Sequence, residues 1–134
     1  MLNEKGDFVW FNFYGITDED SMENCLFCKI VAGQIPSDIV YQDDDVLAFN
    51  DINPQAPLHI LFIPKRHIAS MTDLTEEDGP VLAKIYVAAT KVAKELNLER
   101  GYRFLTNVGP DAGQSVFHLH FHLLGGRPLG WPPG

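Results

Sequence analysis

Near its C-terminus the chain reads His118-Leu119-His120-Phe121-His122-Leu123-Leu124. Strict alternation of polar and apolar residues is typical of a β-strand, in which every second side chain points to the same face of the sheet. The pattern therefore predicts that three imidazoles project together from one face. Near neutral pH an imidazole can be a nucleophile, an acid, a base or a metal ligand. A solvated polar strand face is the alternative, but three of the five histidines of the chain stand here.

The composition limits the classes of protein to which this chain can belong. With 134 residues, of which 46% are hydrophobic, it is long enough for one domain with a buried core. A net charge of -8 argues against binding to duplex nucleic acid, which requires a basic face. A nucleotide in a small pocket remains possible, since backbone amides and a few side chains suffice to hold it. No run of about 18 apolar residues is present, so no membrane span is expected.

The N-terminal segment differs from the rest of the chain. Residues 1–21 are rich in aromatic and then in acidic side chains, and we treat them as an extension that precedes a domain at residues 22–134. The segment has neither a basic region nor a small-residue cleavage site, so a secretory signal is not expected. Cys25 and Cys28, at a C-x-x-C spacing, do not make a disulfide framework. They favour a cytoplasmic protein with a metal or redox site.

Apolar periodicity predicts an α+β fold with a mostly antiparallel sheet. A short helix is expected at 25–34. A long helix is expected at about 79–97, where apolar residues recur at helical spacing and should lie on the sheet. Five strands are predicted, at 39–41, 46–50, 58–64, 102–108 and 116–124. The first two should form a hairpin, and the densely apolar third strand is interpreted as central.

Three segments together resemble the histidine-triad (HIT) family. They are Asp51-Ile-Asn-Pro-Gln-Ala-Pro-Leu-His59, Ile63-Pro-Lys-Arg-His67 and Gly113-Gln-Ser-Val-Phe-His-Leu-His-Phe-His-Leu-Leu-Gly-Gly-Arg127. The resemblance covers about residues 25 to 134, and the C-terminal Trp131-Pro-Pro-Gly134 is similar to the Hint branch. The uridylyltransferase relatives have Gln where this chain has His122. The resemblance implies a HIT-like sheet of five strands with one long and one short helix.

The resemblance also implies a catalytic set. His120 would attack the α-phosphate of a nucleotide and form a nucleotidyl-histidine, which water then hydrolyses. A nucleophilic imidazole needs one free nitrogen and an acceptor for the other, which the family draws from the backbone of the first histidine, here His118. The phosphorus centre needs charge stabilisation, and no catalytic metal is required. His122 and His59 are expected to donate to phosphate oxygens, and Ser115 is expected near the leaving group.

For the nucleoside, Asp51 is the candidate ribose ligand, because a carboxylate can accept from both the 2′ and the 3′ hydroxyl. A cap on its own loop is the alternative role for this residue. By resemblance, the other residues that contact the nucleotide are Leu26, Phe27, Ile30, Ile35, Phe49, Ile52, Asn107, Gln114, Val116, His120 and His122. For each apolar member of this set, an ordinary place in the core is the alternative.

The two cysteines need two more ligands to hold a tetrahedral zinc ion. The zinc-bearing relatives use histidines at the positions of His59 and His118, so the resemblance implies a structural zinc on Cys25, Cys28, His59 and His118. The Hint branch from animals lacks the cysteines, and the chain departs from it here. A pair of buried thiols that act as small hydrophobes is the alternative. His67 is assigned no part in catalysis.

These expectations combine into a purine nucleoside phosphoramidate hydrolase. Its substrates would be adenosine or guanosine 5′-phosphoramidates, with acyl-adenylates as a further option, and its products a nucleoside monophosphate and an amine. Within the same class, a dinucleoside-polyphosphate hydrolase is the alternative. From another class, a nucleotide-binding regulatory or scaffold module with incidental hydrolysis is the alternative.

A homodimer is also expected. The helix at 79–97 and the strand at 102–108 carry more apolar surface than one small sheet can cover, and in the family two domains pair through these elements. Pairing would bring the tail with Trp131 near the other chain's site. A free tail is the alternative, since termini are often disordered.

Overall fold

The computed structural model describes residues 24–134, which form two α-helices, five β-strands and short 3-10 helices at Met71–Asp73, Glu76–Asp78 and Pro110–Ala112. The elements are α1 (Leu26–Val31), β1 (Ile39–Gln42), β2 (Val46–Asn50), β3 (Leu58–Pro64), α2 (Gly79–Glu95), β4 (Tyr102–Leu105) and β5 (Phe121–Gly125). The predicted α+β fold is confirmed. The extension assigned to residues 1–21 and the boundary at 22 lie outside the described residues. Within residues 24–134, none of the helices has the length and apolar character needed to cross a bilayer.

The five strands form a single sheet in the order β1-β2-β3-β5-β4, and every neighbouring pair is antiparallel. The strand predicted at 116–124 starts later, at Phe121. The reason is that the preceding residues bond outside the ladder: the Leu119 amide donates to the Ile68 carbonyl at 2.6 Å, and the Thr106 hydroxyl donates to the His120 carbonyl at 2.7 Å. The first two triad histidines therefore lie on the segment before β5 and not in the strand itself.

The sheet has two differently covered faces. One face packs on α2, through a core of Val46, Ala48, Ile60, Phe62, Ile68, Ile85, Ala88, Ala89, Val92, Leu119, Phe121 and Leu123. The opposite face packs on α1, through a smaller core of Cys25, Phe27, Ile30, Leu47, Phe49, Leu61 and Ile63. Since Leu119, Phe121 and Leu123 belong to the α2 side, the three triad histidines lie on the α1 side, as the alternation predicts.

The loop after β3 is tied to the start of α2. The Arg66 guanidinium pairs with the carboxylate of Asp78, which is 5% exposed. Asp78 also accepts from the Thr75 amide at 2.9 Å, and these contacts hold the pKa of Asp78 below its usual range. The neighbouring residue, His67, contacts Cys28 of α1.

Candidate functional site

His120 is held as a neutral imidazole with one free nitrogen. Its Nδ1 lies 2.7 Å from the carbonyl oxygen of His118, and since a carbonyl only accepts, Nδ1 carries the proton and Nε2 the lone pair. Burial lowers the pKa of His120 below 6.5, although the same hydrogen bond opposes that shift. The edge-on ring of Phe27, 5.1 Å away between centroids, fixes the imidazole from the other side. This is the arrangement that a nucleophilic histidine requires.

A cavity of about 540 Å³ opens beside His120. Its lining residues are Leu26, Phe27, Ile30, Ile35, Pro36, Ser37, Asp38, Phe49, Asn50, Asp51, Ile52, Leu61, Ser115, Val116, His120 and His122. The apolar members come from α1, from single residues of β2 and β3 and from the adjoining loops, while Asp51 and the two histidines supply polar groups. A cavity with an apolar wall and a few polar groups is typical of a site for a small organic ligand.

Two residues expected to contact the nucleotide lie outside this lining. The amide of Gln114 is turned inward: its Nε2 donates to the carbonyls of Ala69 and Val116 at 3.0 and 3.1 Å, and its Oε1 accepts from the Gly109 amide. Gln114 thus braces the loop before the triad. Asn107 does not line the cavity either. Conversely, the sequence-based set lacked Pro36, Ser37, Asp38, Asn50 and Leu61.

His59 and His122 form a hydrogen-bonded pair at the polar side of the cavity. The Gln55 amide donates to His59 Nδ1 at 3.0 Å, so the proton of neutral His59 is on Nε2. That atom lies 2.9 Å from His122 Nδ1, which accepts, and the proton of His122 is therefore on Nε2. Burial lowers the pKa of His59. Burial and the neighbouring imidazoles lower the pKa of His122 to about 4, so both rings are neutral at pH 7.

This pair leaves His122 Nε2 as a donor without a partner. The atom is buried and makes no hydrogen bond to any part of the chain that the structure describes. A buried donor without an acceptor costs about 1–3 kcal/mol, so the position favours an acceptor-rich ligand such as a phosphate. His122 lines the cavity beside His120.

Asp51 performs the loop role and still reaches the cavity. Its Oδ1 accepts from the Asn53 amide at 2.8 Å, and its Oδ2 lies 3.4 Å from His59 Nε2. The side chain is 19% exposed and lines the cavity. The two roles considered for Asp51 are therefore compatible, because only one carboxylate oxygen is taken by the loop.

A second cluster, of two thiols and two imidazoles, lies under α1. His118 Nδ1 is 3.4 Å from Cys25 Sγ and 3.5 Å from Cys28 Sγ, and His67 Nδ1 is 3.2 Å from Cys28 Sγ. His118 Nε2 donates to the Pro64 carbonyl at 2.8 Å, which leaves the Nδ1 lone pair directed at the thiols. The ligand atoms all lie within 4.8 Å of one another. Tetrahedral zinc with ordinary bond lengths needs its ligand atoms about 3.3–3.8 Å apart.

The protonation state of the cluster also fits a divalent cation. Without one, burial and the adjacent Cys25 thiol raise the pKa of Cys28 to about 12, and burial lowers the pKa of His118 to about 4. The imidazole is thus ready to bind, while two neighbouring thiolates need a positive charge between them. Four protein ligands in a buried place are typical of a structural zinc site, which has no open position for substrate.

The expected ligand set is wrong in one member. His59 is not near the thiols, and His67 takes the place assigned to it. The register explains the error: β3 and β5 are antiparallel, and His59 pairs with Leu124, six residues from His118. His59 therefore lies toward the opposite end of β5 from the segment that carries His118. Because the pairing is antiparallel, the residues just after β3 lie beside His118. His67 is one of these residues, so the antiparallel sheet is the signal that points to it as a ligand.

His118 contributes in the two ways that the resemblance implies. Its side chain is fully buried in the thiol cluster and does not line the cavity. Its link to the chemistry is its backbone carbonyl, which holds His120.

Comparison with known proteins places the chain in a family. Residues 24–128 match the family described as "Scavenger mRNA decapping enzyme C-term binding". A HIT-like protein of Synechococcus elongatus is 50% identical over 112 residues, which are 84% of this chain and 98% of that protein. The "14 kDa zinc-binding protein" of Zea mays is 50% identical over 111 residues, 81% of this chain and 87% of that protein. The crystal structure of a HIT family hydrolase from Legionella pneumophila is 53% identical, with a TM-score of 0.82, and covers 83% of this chain and 100% of that one. The His-φ-His-φ-His segment contributes its first histidine to the thiol cluster and the other two to the cavity. The chain belongs to the histidine-triad family.

Proposed function

We propose that this protein hydrolyses purine nucleoside 5′-phosphoramidates to a nucleoside monophosphate and an amine. The observation that carries the proposal is the neutral His120, whose Nδ1 proton is held by the His118 carbonyl beside a cavity with an apolar wall. The purine would lie on Leu26, Phe27, Ile30 and Phe49, and the ribose hydroxyls would donate to Asp51. Guanosine and adenosine phosphoramidates share these features, and acyl-adenylates are a further substrate class.

The proposed reaction has two displacements at phosphorus. His120 Nε2 attacks the α-phosphorus, the bond from phosphorus to the amine nitrogen breaks, and the amine takes a proton from solvent as it leaves; the later hydrolysis returns one proton to solvent. Water then attacks the nucleotidyl-histidine, which releases the monophosphate and restores the neutral imidazole. The His118 carbonyl stabilises the positive charge that develops on His120, and His122 Nε2 donates to a phosphoryl oxygen. Ser115, which lines the cavity, is the candidate to contact the leaving group.

The thiol cluster is proposed to hold one structural zinc per chain. Cys25, Cys28, His67 and His118 supply the donors, and the name of the maize relative supports this metal. Zinc would stabilise the α1 side of the sheet, and the protein side chains alone would carry out the reaction at phosphorus. The two reduced thiols also favour a cytoplasmic location.

A homodimer is proposed as the assembly. β4 ends the sheet among the described residues, and large apolar side chains stand exposed on it and on α2: Tyr86, Val87 and Tyr102 are 51%, 51% and 41% exposed. Trp131 is 81% exposed and contacts the Arg103 guanidinium. Sedimentation at low micromolar concentration should give twice the 15.0 kDa chain mass, and a 15.0 kDa species would refute the dimer.

A competition assay tests the proposed reaction against its alternatives. We expect kcat/KM for an adenosine 5′-phosphoramidate to exceed that for a diadenosine polyphosphate. The reverse order would favour a dinucleoside-polyphosphate hydrolase. If wild-type protein binds a nucleoside monophosphate but hydrolyses neither compound, the scaffold alternative is favoured and the enzyme proposal is wrong.

A further inference from the structure

One short helix carries both the metal ligands and the wall of the nucleotide cavity. Cys25 is the N-cap of α1, and Cys28 follows in its first turn. Between and after them, Leu26, Phe27 and Ile30 line the cavity. The thiols and the apolar wall are therefore on the same six-residue segment, and neither can move far without the other.

Two sets of contacts hold this helix on the sheet, namely the small core beneath it and the thiol cluster. An isolated helix of six residues is not stable, because the free-energy cost of nucleation exceeds the stabilisation from so few hydrogen bonds. Phe27 and Ile30 are its buried residues, while Leu26 is 44% exposed. The helix end is capped internally, by the Cys28 amide that donates to Cys25 Sγ at 3.3 Å. The remaining anchors are the thiols, which meet His67 beyond β3 and His118 before β5.

We propose that metal bound at this cluster holds α1 in the position that receives the base, so that the affinities for metal and for purine nucleotide are coupled. Cys28 and His67 are then positioning residues for nucleotide binding, although neither lines the cavity. The proposal rests on the proposed function in one respect, namely that the cavity binds a purine nucleotide.

The hydrogen bond that orients the catalytic histidine does not involve α1, although the ring contact with Phe27 does. His118 keeps its hydrogen bond to the Pro64 carbonyl, and its own carbonyl holds His120. Asp51 belongs to the loop between β2 and β3, with contacts to Asn53 and His59. Loss of the metal should therefore weaken binding of the base much more than it slows the reaction of bound substrate.

The first test compares variants on α1. Calorimetric titration with AMP should show that Cys28→Ser raises Kd at least tenfold relative to zinc-loaded wild type, and the variant's KM should rise while kcat stays within threefold. Lys29→Ala is the matched control, because Lys29 is on the same helix but neither lines the cavity nor meets the cluster. Added Co²⁺ should restore the AMP affinity of Cys28→Ser, and this affinity should rise in proportion to the intensity of the thiolate-to-metal absorption band. Unchanged AMP affinity in the metal-depleted variant would overturn the proposal.

The second test needs no variant. Since coupling between two ligands is reciprocal, saturating AMP must raise the zinc affinity of wild type by the factor by which zinc raises AMP affinity. Zinc affinity is measured by equilibrium competition with a chromogenic chelator, with AMP or with ribose 5-phosphate present. Ribose 5-phosphate lacks the base and should leave the zinc affinity unchanged. Equal zinc affinities with and without AMP would contradict the proposal, even if every cysteine variant failed to fold.

The outcomes also separate this proposal from the one on which it rests. If zinc-loaded wild type binds and hydrolyses the nucleotide but shows no coupling to zinc, only the present inference is wrong. If the loaded protein neither binds AMP nor hydrolyses a phosphoramidate, both proposals are wrong.

Discussion

The α1 side of the sheet carries two histidine clusters with different chemistry. In the thiol cluster, the His118 ring donates its Nε2 proton to a backbone carbonyl, so that its Nδ1 lone pair faces the cysteines. In the cavity cluster, His59 and His122 donate and accept between themselves, and Asp51 stands beside them. The difference shows that the partner of the second ring nitrogen, rather than the histidine itself, decides what the first nitrogen can do.

The same comparison shows how the cavity cluster differs from the thiol cluster in the direction of its lone pairs. A carboxylate and two imidazoles lie close enough to hold an ion. However, His59 Nε2 and His122 Nδ1 are 2.9 Å apart and share one proton, so their two lone pairs do not converge on a common point. The arrangement directs a proton donor into the cavity instead.

The largest effect is expected from removal of the nucleophile. His120→Ala should lower kcat by about 10⁴-fold or more, because no other imidazole among the described residues that line the cavity directs a free lone pair into it. His120 is only 5% exposed, so the variant leaves a small cavity and its melting temperature and zinc content must be measured beside its rate. Imidazole should partly restore the rate of His120→Gly. Retention of a tenth of the wild-type activity in a folded His120→Ala protein would contradict the assignment.

The next effect separates the two clusters by their metal content. His67→Ala should reduce zinc from about one per chain to a small fraction, because it removes one of four donors. His59→Ala is the matched control: it should keep its zinc and lose activity, since it leaves the Nδ1 of His122 without its donor. Elemental analysis of both variants, purified without chelators, decides the point. Zinc lost from His59→Ala and kept in His67→Ala would restore the ligand set expected from sequence.

The sequence was sufficient to predict the fold, because the signals for helices and strands lie within short segments of the chain. Alternation at 118–124 separates two faces of the sheet, and the helical spacing at 79–97 identifies α2, which spans Gly79–Glu95. The same alternation correctly grouped the three imidazoles. It did not show that His118 and His120 are among the most buried residues, at 0% and 5% exposed, because burial depends on α1 and the loops that cover them.

The metal ligands required more than local patterns. The choice between His59 and His67 depends on which residue of β3 pairs with which residue of β5, and no periodicity within one strand contains that register. The inward turn of Gln114 is similar in kind, because its amide bonds to carbonyls of Ala69 and Val116 in a loop with no regular pattern.

A smaller effect should come from the ribose contact. Asp51→Asn is expected to raise KM about 10- to 100-fold, because the hydroxyls of the ribose lose a charged acceptor worth about 1.5–3 kcal/mol. Asp44→Asn, at an exposed acid of the hairpin turn, makes the same change in net charge and serves as the control. The penalty of Asp51→Asn should disappear with a 2′,3′-dideoxynucleoside substrate. An equal penalty on both substrates would show that Asp51 acts only through its loop.

The smallest effect concerns pH, and it tests whether the buried histidines stay neutral. Protonation of His120 removes the lone pair that attacks phosphorus, so activity must fall as the pH drops through the pKa of this residue. An imidazole of pKa 6.5 would leave only about a tenth of the activity at pH 5.5. Because burial lowers the pKa of His120, the decline should begin at lower pH, and kcat/KM at pH 5.5 should stay well above a tenth of its value at pH 7. Initial rates from pH 4.5 to 8, with zinc content followed in the same samples, measure this limb. If kcat/KM were half-maximal at pH 6.5 or above, the cavity would not desolvate His120. The two clusters would then differ only in whether they bind a metal ion.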